Sequence, residues 1–290
     1  MADVRITEFT DPGCPWAFSA EPFRRRLDWL YGEHLEWRTC MVGLSESPDD
    51  YIEKGFDPEK QASAFMNIAR DHGMPIDTSV RPRMAATVPA CRAVVAARLH
   101  TPDRERMLLR RLRVRHFSGA LLDVPATIAA AATDAGIDPA RLEAWMAEDD
   151  VEAVLREDMA VSREPMPAAR VLDAKLANWS GGRRYTCPSY EVVRLTDGVR
   201  IAVPGFQPFP VYDVLLANLV PGIERREPAG SVEEVLEWMG TPLATKEVAV
   251  VCDIPFEAAR EALGRVAEER HVGFDGFWSL PKAAALRQAA

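Results

Sequence analysis

The sequence predicts an α/β fold with a long helical block in its middle and a helical module at its C-terminus. Three observations predict it. A strand, a helix and a second strand follow one another within residues 4–42. Residues 60–178 show helical periodicity throughout. Two β-rich runs joined by a turn return within residues 189–203, so the β-structure comes in two separated parts.

The first β-part begins with residues 4–9, where apolar and polar side chains alternate as they do in a half-buried strand. The helix predicted over residues 18–31 places Phe23, Leu27 and Leu30 on one stripe. A second strand is predicted over residues 34–42. This order predicts a parallel βαβ unit. The polar residues 45–58 are predicted to form a loop.

Cys14 occupies a special place between the first strand and the first helix. Pro12 and Gly13 end the strand, Cys14 stands at the helix N-cap, and Pro15 suits the first helical position. Unpaired backbone N–H groups and the helix dipole at such a position favour a thiolate and lower a cysteine pKa. The alternative is that a small residue merely caps a helix, and the spacing alone leaves both interpretations open.

The helical block contains several recognisable helices. One carries Val88, Cys91 and Val95 on a single apolar face. Pro125 is predicted to open another that closes at Gly136, and Asp138-Pro139 is predicted to start the next. Cys91 on this apolar face, Cys40 in the second strand and Cys252 on a later helical stripe are expected to fill the core.

The second β-part follows a turn at Gly181-Gly182. Strands are predicted over residues 189–195 and 199–203, joined by a turn at Asp197-Gly198, and a helix over residues 211–220 follows. The polar segment 221–230, bounded by proline and glycine, is predicted to be a linker.

Residues 231–290 form the predicted C-terminal module. Helices are expected from Ser231, over 245–252 and over 256–270, with a small hairpin at 274–280, an order that resembles a winged helix-turn-helix domain. The module contains ten acidic and six basic residues, a net charge of −4. Proteins that bind DNA present a basic face, so we do not expect this module to bind nucleic acid. We expect a module that packs onto the rest of the chain or forms a dimer, with a homodimer as one outcome.

The segment Asp11-Pro12-Gly13-Cys14-Pro15-Trp16, between a strand and a helix, resembles the active site of DsbA-family thioredoxin-fold oxidoreductases, in particular the FrnE-like branch. That family usually carries two cysteines in a Cys-x-x-Cys motif, whereas the second position here is Ala17. The resemblance implies a thioredoxin-like domain made of residues 1–59 and 179–220, with residues 60–178 as a helical insertion and 231–290 as a separate module.

The resemblance also implies that Pro188 is a cis-proline and that Cys187 before it packs against Cys14. Our hypothesis is that Cys187 replaces the missing second cysteine. The alternative is that it is a small apolar filler, because free cysteines are often buried. By the same resemblance, a substrate would contact the residues around the two turns: Pro15, Trp16, Ala17, Thr186 and Pro188. Packing in the core is the alternative for Trp16, because aromatic side chains more often serve cores.

Arg183 and Arg184 precede the cis-proline turn and are candidates for holding a carboxylate of a small thiol such as glutathione or mycothiol. Solvated loop charges are the alternative. No tightly bound cofactor is expected. The five histidines are scattered and the five cysteines have no metal-ligand spacing, so no metal site is expected.

The 290 residues are 48% hydrophobic and carry a net charge of −9, a composition typical of a globular protein with a large core. We find neither a signal-peptide pattern nor an apolar run of membrane-spanning length, so a cytoplasmic location without a membrane partner is expected. The leading hypothesis is a thiol-disulfide oxidoreductase acting on a protein or small-thiol substrate. Two alternatives stay open: a glutathione- or mycothiol-dependent transferase or isomerase, resembling the kappa-class transferases and the hydroxychromene-carboxylate isomerases, and a scaffold without redox activity.

Overall fold

The computed structural model describes residues 2–281 and contains nine strands within that range. The strands are β1 (Val4–Thr10), β2 (Leu35–Met41), β3 (Leu176–Trp179), β4 (Gly182–Tyr185), β5 (Ser189–Arg194), β6 (Arg200–Val203), β7 (Leu243–Ala244), β8 (Glu268–Val272) and β9 (Asp275–Ser279). The helices of the same residues are α1 (Pro15–Ser19), α2 (Glu21–Tyr31), α3 (Asp49–Glu53), α4 (Pro58–His72), α5 (Val88–His100), α6 (Pro102–Phe117), α7 (Pro125–Asp134), α8 (Pro139–Met146), α9 (Asp149–Ser162), α10 (Pro167–Arg170), α11 (Phe209–Leu219), α12 (Val232–Met239), α13 (Thr245–Cys252) and α14 (Phe256–Val266).

A four-stranded sheet unites the two β-parts of the chain. Its order is β2-β1-β5-β6, with β1 parallel to β2 and both β1–β5 and β5–β6 antiparallel. The predicted βαβ unit and the predicted hairpin are therefore confirmed. The β1–β5 register sets Phe9 opposite Ser189, so the end of β1 before Cys14 lies beside the start of β5 after Pro188. This pairing positions the candidate site.

Four local predictions need correction. The first helix begins at Pro15, the predicted first helical position, but it is broken at Ala20 and does not continue unbroken to residue 31. The predicted loop 45–58 contains the short helix α3. The block 60–178 is not helical throughout, because residues 73–87 are irregular and β3 and β4 form an additional hairpin around the Ser180-Gly181 turn. The last predicted helix ends at Val266 and not at residue 270, because residues 268–272 form strand β8, which pairs with β9 in the C-terminal hairpin.

The helical block has its own apolar core, built around α5. Eight of the thirteen residues of α5 are buried, and α6, α7, α8 and α9 pack around it. A helix that is apolar on nearly all sides is stable only inside a bundle. Proline at the first helical position and Asp138 as an N-cap start α7 and α8 as predicted.

The C-terminal module consists of α12, α13, α14 and the three-stranded sheet β7-β9-β8. Ser231 caps α12 as predicted by accepting a hydrogen bond from the Glu234 amide. The winged-helix assignment stays a prediction. The module shares one apolar cluster with α2 and α11, and the predicted linker is itself anchored, because Trp29 donates a hydrogen bond to the Glu227 carbonyl. The module is therefore packed onto the rest of the chain.

A network of buried charged side chains lies where the sheet, the helical block and the module meet. Its members are Glu8 of β1; Glu21, Arg24 and Arg25 of α2; Arg110 and Arg113 of α6; and Glu247 of α13. Arg110 bonds Glu21 and Glu247, and Arg113 bonds Glu21 and Glu8. Burial opposes ionisation of Glu21, but the surrounding arginines outweigh it and lower the pKa of that carboxyl.

A candidate thiol site at the start of the first helix

Cys14 lies at the N-cap of α1, as predicted, with Pro15 in the first helical position. Its side chain is only 6% exposed, and its backbone amide donates a hydrogen bond to the Asp11 carbonyl. Because α1 has five residues and ends before α2 begins, a long helix dipole does not act on the sulfur. Stabilisation of a thiolate must therefore come from nearby groups.

The structure brings Cys14 and Cys187 together across 173 residues of sequence. The Cys14 thiol donates a hydrogen bond to the Cys187 carbonyl oxygen at 3.2 Å, and the two residues belong to one buried cluster. The Cys187–Pro188 peptide bond is cis, as the family resemblance implies. Both cysteines are free thiols in this structure.

The two thiols are electrostatically unequal. A hydrogen bond from the Cys187 thiol lowers the pKa of Cys14, and the backbone amides of Ala17 and Trp16 add to this effect against the opposing effect of burial. Burial and the neighbouring Cys14 sulfur raise the pKa of Cys187 well above its usual range. Cys14 is thus the sulfur that ionises first, and Cys187 is the one that keeps its proton.

Asp11 is a site residue whose role the sequence did not reveal. Its buried carboxylate accepts hydrogen bonds from the Gly13 amide at 2.8 Å, the Leu44 amide at 2.9 Å and the Thr87 hydroxyl at 2.8 Å. The Cys91 thiol donates to the same carboxylate at 3.4 Å, so Cys91 has a polar partner in addition to its place in the core. Asp11 therefore ties the cysteine turn to the helical block.

An aromatic surface flanks the buried thiols. Trp16 is 43% exposed and contacts the rings of His72 and Phe206 edge-on, at centroid distances of 5.0 and 5.7 Å. Ala17, in contrast, is buried beside Cys14 in the same apolar cluster. Of the two residues that follow Pro15, Trp16 is therefore the one accessible to a ligand and Ala17 is not.

The two candidate arginines differ in their surroundings. The Arg183 guanidinium is paired with the Asp173 carboxylate at 2.8 Å, so its charge is already balanced. Arg184 donates a hydrogen bond to the Tyr185 carbonyl, has no ion pair among residues 2–281, and its charge acts to lower the pKa of Cys187. Thr186 donates to the Lys175 carbonyl, which fixes the turn before Cys187. Of the two arginines, Arg184 is the one free to meet an anion.

The remaining cysteines lie in apolar surroundings. Cys40 donates a hydrogen bond to the Asp158 carbonyl, and burial raises its pKa well above the usual range. Cys252 packs in the cluster shared by α2 and the C-terminal module. Within residues 2–281, no group of three or more potential ligand side chains is placed to hold a metal ion, and no helix is long and apolar enough to cross a bilayer.

Comparison with solved structures identifies the fold. A probable DsbA oxidoreductase from Streptomyces coelicolor is 16% identical, with a TM-score of 0.54, covering 78% of this chain and 100% of its own. The cytosolic disulfide reductase DsbM from Pseudomonas aeruginosa is 17% identical, with a TM-score of 0.53, covering 74% of this chain and 100% of its own. A structure of the same DsbM with GSH is 17% identical, with a TM-score of 0.52, covering 74% of this chain and 98% of its own. The chain therefore has the DsbA-like thioredoxin fold.

Comparison with curated sequences gives a different kind of relative. The ClpXP adapter protein SpxH from Halalkalibacterium halodurans is 25% identical over 273 residues, which span 91% of this chain and 82% of that protein. No protein-family model matches the sequence. The sequence match thus spans more of the chain than the two oxidoreductase structures do.

Proposed function

We propose that the protein is a cytoplasmic thiol-disulfide oxidoreductase of the FrnE-like branch, with Cys14 as its nucleophile. The observation that carries the proposal is the placement of the Cys14 sulfur 3.2 Å from the Cys187 carbonyl, beside the cis Pro188 and behind an exposed tryptophan. This arrangement supplies one thiol that ionises readily, a polar turn for an incoming backbone and an apolar contact surface. The name of the cytosolic disulfide reductase DsbM is in keeping with the proposed compartment.

The reaction proceeds by two exchange steps. The Cys14 thiolate attacks a substrate disulfide, forms a mixed disulfide with one sulfur and releases the other as a thiolate. In the second step, the Cys187 thiol loses its proton to that leaving thiolate and attacks the Cys14 sulfur. A Cys14–Cys187 disulfide forms and the second substrate thiol leaves. The substrate disulfide gains two electrons and the cysteine pair loses two. Two external thiols then restore the reduced pair and leave as their own disulfide.

A small thiol is the alternative resolving group. Glutathione or mycothiol would attack the mixed disulfide in place of Cys187, and Arg184 would bind its carboxylate. DsbM, a protein with the same fold, has been solved with GSH, which supports a glutathione-like thiol at this site. The two routes differ in whether a disulfide forms inside the chain.

Alkylation of Cys14 is expected to show an apparent pKa below that of free cysteine, about 8.5. Cys187→Ala is expected to raise this value, because it removes the hydrogen bond that contributes most to the lowering. Cys187→Ser is the matched control, since its hydroxyl still donates, and should raise the value less. The measurement is the iodoacetamide rate against pH, with Cys14 identified by peptide mass. A wild-type midpoint at or above that of free cysteine would contradict an activated thiolate.

Mild oxidation is expected to remove two hydrogens from the wild-type chain and none from Cys187→Ser. The reason is that Cys14 and Cys187 are placed side by side and either sulfur alone cannot close the disulfide. Intact-mass measurement with peptide mapping checks it, and Cys252→Ser serves as the control that should still lose two. If the wild type instead gains one glutathione in a glutathione buffer and forms no disulfide within the chain, the small-thiol route is the correct one.

An adapter function is the second candidate, and one observation favours it. The sequence match to the adapter protein SpxH spans 91% of this chain, while the two oxidoreductase structures cover 74–78% of it. The part beyond them is similar in size to the C-terminal module and its linker. An adapter would use the same apolar surface to bind a partner protein without needing thiol exchange. The Cys14 variant in the Discussion separates the two functions.

A further inference from the structure

A surface cavity lies away from the thiol site, between the helical block and the C-terminal module. Its volume is about 550 Å³. That size falls within the range of small-molecule pockets. Arg111 and Arg115 of α6, Asp134 of α7, and Arg270 and Phe277 of the module line it. Arg111 and Arg115 are four residues apart and therefore share one face of the helix.

Only one of the three arginines of this cavity is paired with an acidic side chain among residues 2–281. Arg115 donates two hydrogen bonds to the Asp134 carboxylate, at 2.6 and 3.0 Å. Arg270 donates only to the Ser118 hydroxyl at 3.3 Å. Arg111 makes no hydrogen bond or ion pair within the described part of the chain, and its Nε is buried without a partner. Three cations and one carboxylate leave an excess of two positive charges.

This excess is unusual for the chain in which it occurs. The whole sequence carries a net charge of −9, and the other face of α6 has its Arg110 and Arg113 fully paired with Glu21, Glu8 and Glu247. Burial, and repulsion between the arginines themselves, lower the pKa of both Arg111 and Arg270. A bound anion would relieve that repulsion.

We propose that this cavity binds a small phosphomonoester. A phosphate monoester carries about −1.5 to −2 charges near neutral pH, which matches the excess of two, and guanidinium groups bind phosphate oxygens in paired hydrogen bonds. A monocarboxylate would neutralise only half of the excess. Val114 and Pro242, which also line the cavity and are half-buried, supply an apolar surface for the organic part of the ligand. Because its walls come from both α6 and the module, the ligand would hold the module against the helical block.

Calorimetric titration of the full chain with phenyl phosphate at low salt tests the proposal. We expect saturable binding at one site, weakened about tenfold by Arg111→Gln and by Arg270→Gln, since each removes one charged hydrogen-bonding partner. Arg270→Lys keeps the positive charge and should weaken the binding of phenyl phosphate less than Arg270→Gln does. Arg265→Gln is the matched control, because Arg265 is an exposed arginine of the module outside the cavity, and should bind as the wild type does.

Two further results decide the outcome. Benzoate, with one charge, should bind at least about tenfold more weakly than phenyl phosphate if charge matching governs the site. No saturable binding of phenyl phosphate, or equal weakening by Arg265→Gln, would overturn the proposal. Arg270 is exposed, so its replacement keeps the test valid should Arg111→Gln not fold. The thiol site takes no part in this titration, so the result does not depend on the proposed redox function.

Discussion

Cys14→Ser is expected to reduce insulin-disulfide reduction, with glutathione as reductant, by a factor of at least ~10³. Serine has nearly the size of cysteine, but its hydroxyl does not ionise near neutral pH and does not form a disulfide. The fold should survive, because a serine hydroxyl can donate to the Cys187 carbonyl as the Cys14 thiol does. The rates are measured on both proteins after their circular dichroism spectra have been shown to agree.

Cys252→Ser is the matched control for this loss. Cys252 is also a free, buried cysteine, but it lies in the core of α2 and the C-terminal module and has no contact with the proposed site. It should retain wild-type exchange rates. Equal rates in Cys14→Ser and the wild type would contradict the oxidoreductase proposal.

The same Cys14 variant separates the oxidoreductase from an adapter. An adapter binds its partner through surface contacts such as those of Trp16 and Phe206, which Cys14→Ser leaves unchanged. A partner protein recovered by the wild type would then also be recovered by Cys14→Ser and lost with Trp16→Ala. Loss of the partner in Cys14→Ser would instead show that a mixed disulfide holds it.

The parts of the site that follow local rules could be predicted from the sequence. Proline and glycine before Cys14 end a strand, and Pro15 starts a helix, so the position of the thiol at a helix start is a local consequence. The meeting of Cys14 and Cys187 required the family resemblance, because 173 residues separate them. The role of Asp11 was not predictable, since its partners Leu44, Thr87 and Cys91 come from two other segments.

The attachment of the C-terminal module was also beyond the sequence. Charged residues are usually exposed, so the sequence gives no reason to expect Glu247 in the core. In the structure Glu247 is buried against Arg110. The segment 221–230 has the composition of a flexible linker, yet its backbone bonds Leu30 and Trp29. Burial of charge depends on distant partners, which single-sequence patterns do not contain.

Glu247→Gln is expected to lower the free energy of unfolding by ~3–5 kcal/mol, the usual cost of removing one partner from a buried ion pair. Glu247 is fully buried, accepts a hydrogen bond from Arg110 at 2.6 Å and also accepts one from the Ala244 amide. Glutamine keeps the size and one oxygen that accepts from Ala244 and Arg110, but it removes the negative charge that Arg110 and Arg25 face. Urea unfolding checks it, followed by tryptophan fluorescence, because Trp29 of α2 contacts Trp238 of α12 edge-on at 5.2 Å.

Glu261→Gln is the matched control on the same module. Glu261 is 75% exposed and pairs with Arg265 one turn away, so its loss should change stability no more than an ordinary surface substitution does. The two variants remove the same charge from the same module and differ in burial. Equal effects would mean that the apolar contacts of α13 with α2 hold the module and that the ion network contributes little. A large effect of Glu247→Gln alone makes the network the group that fixes the module to the thioredoxin-like domain.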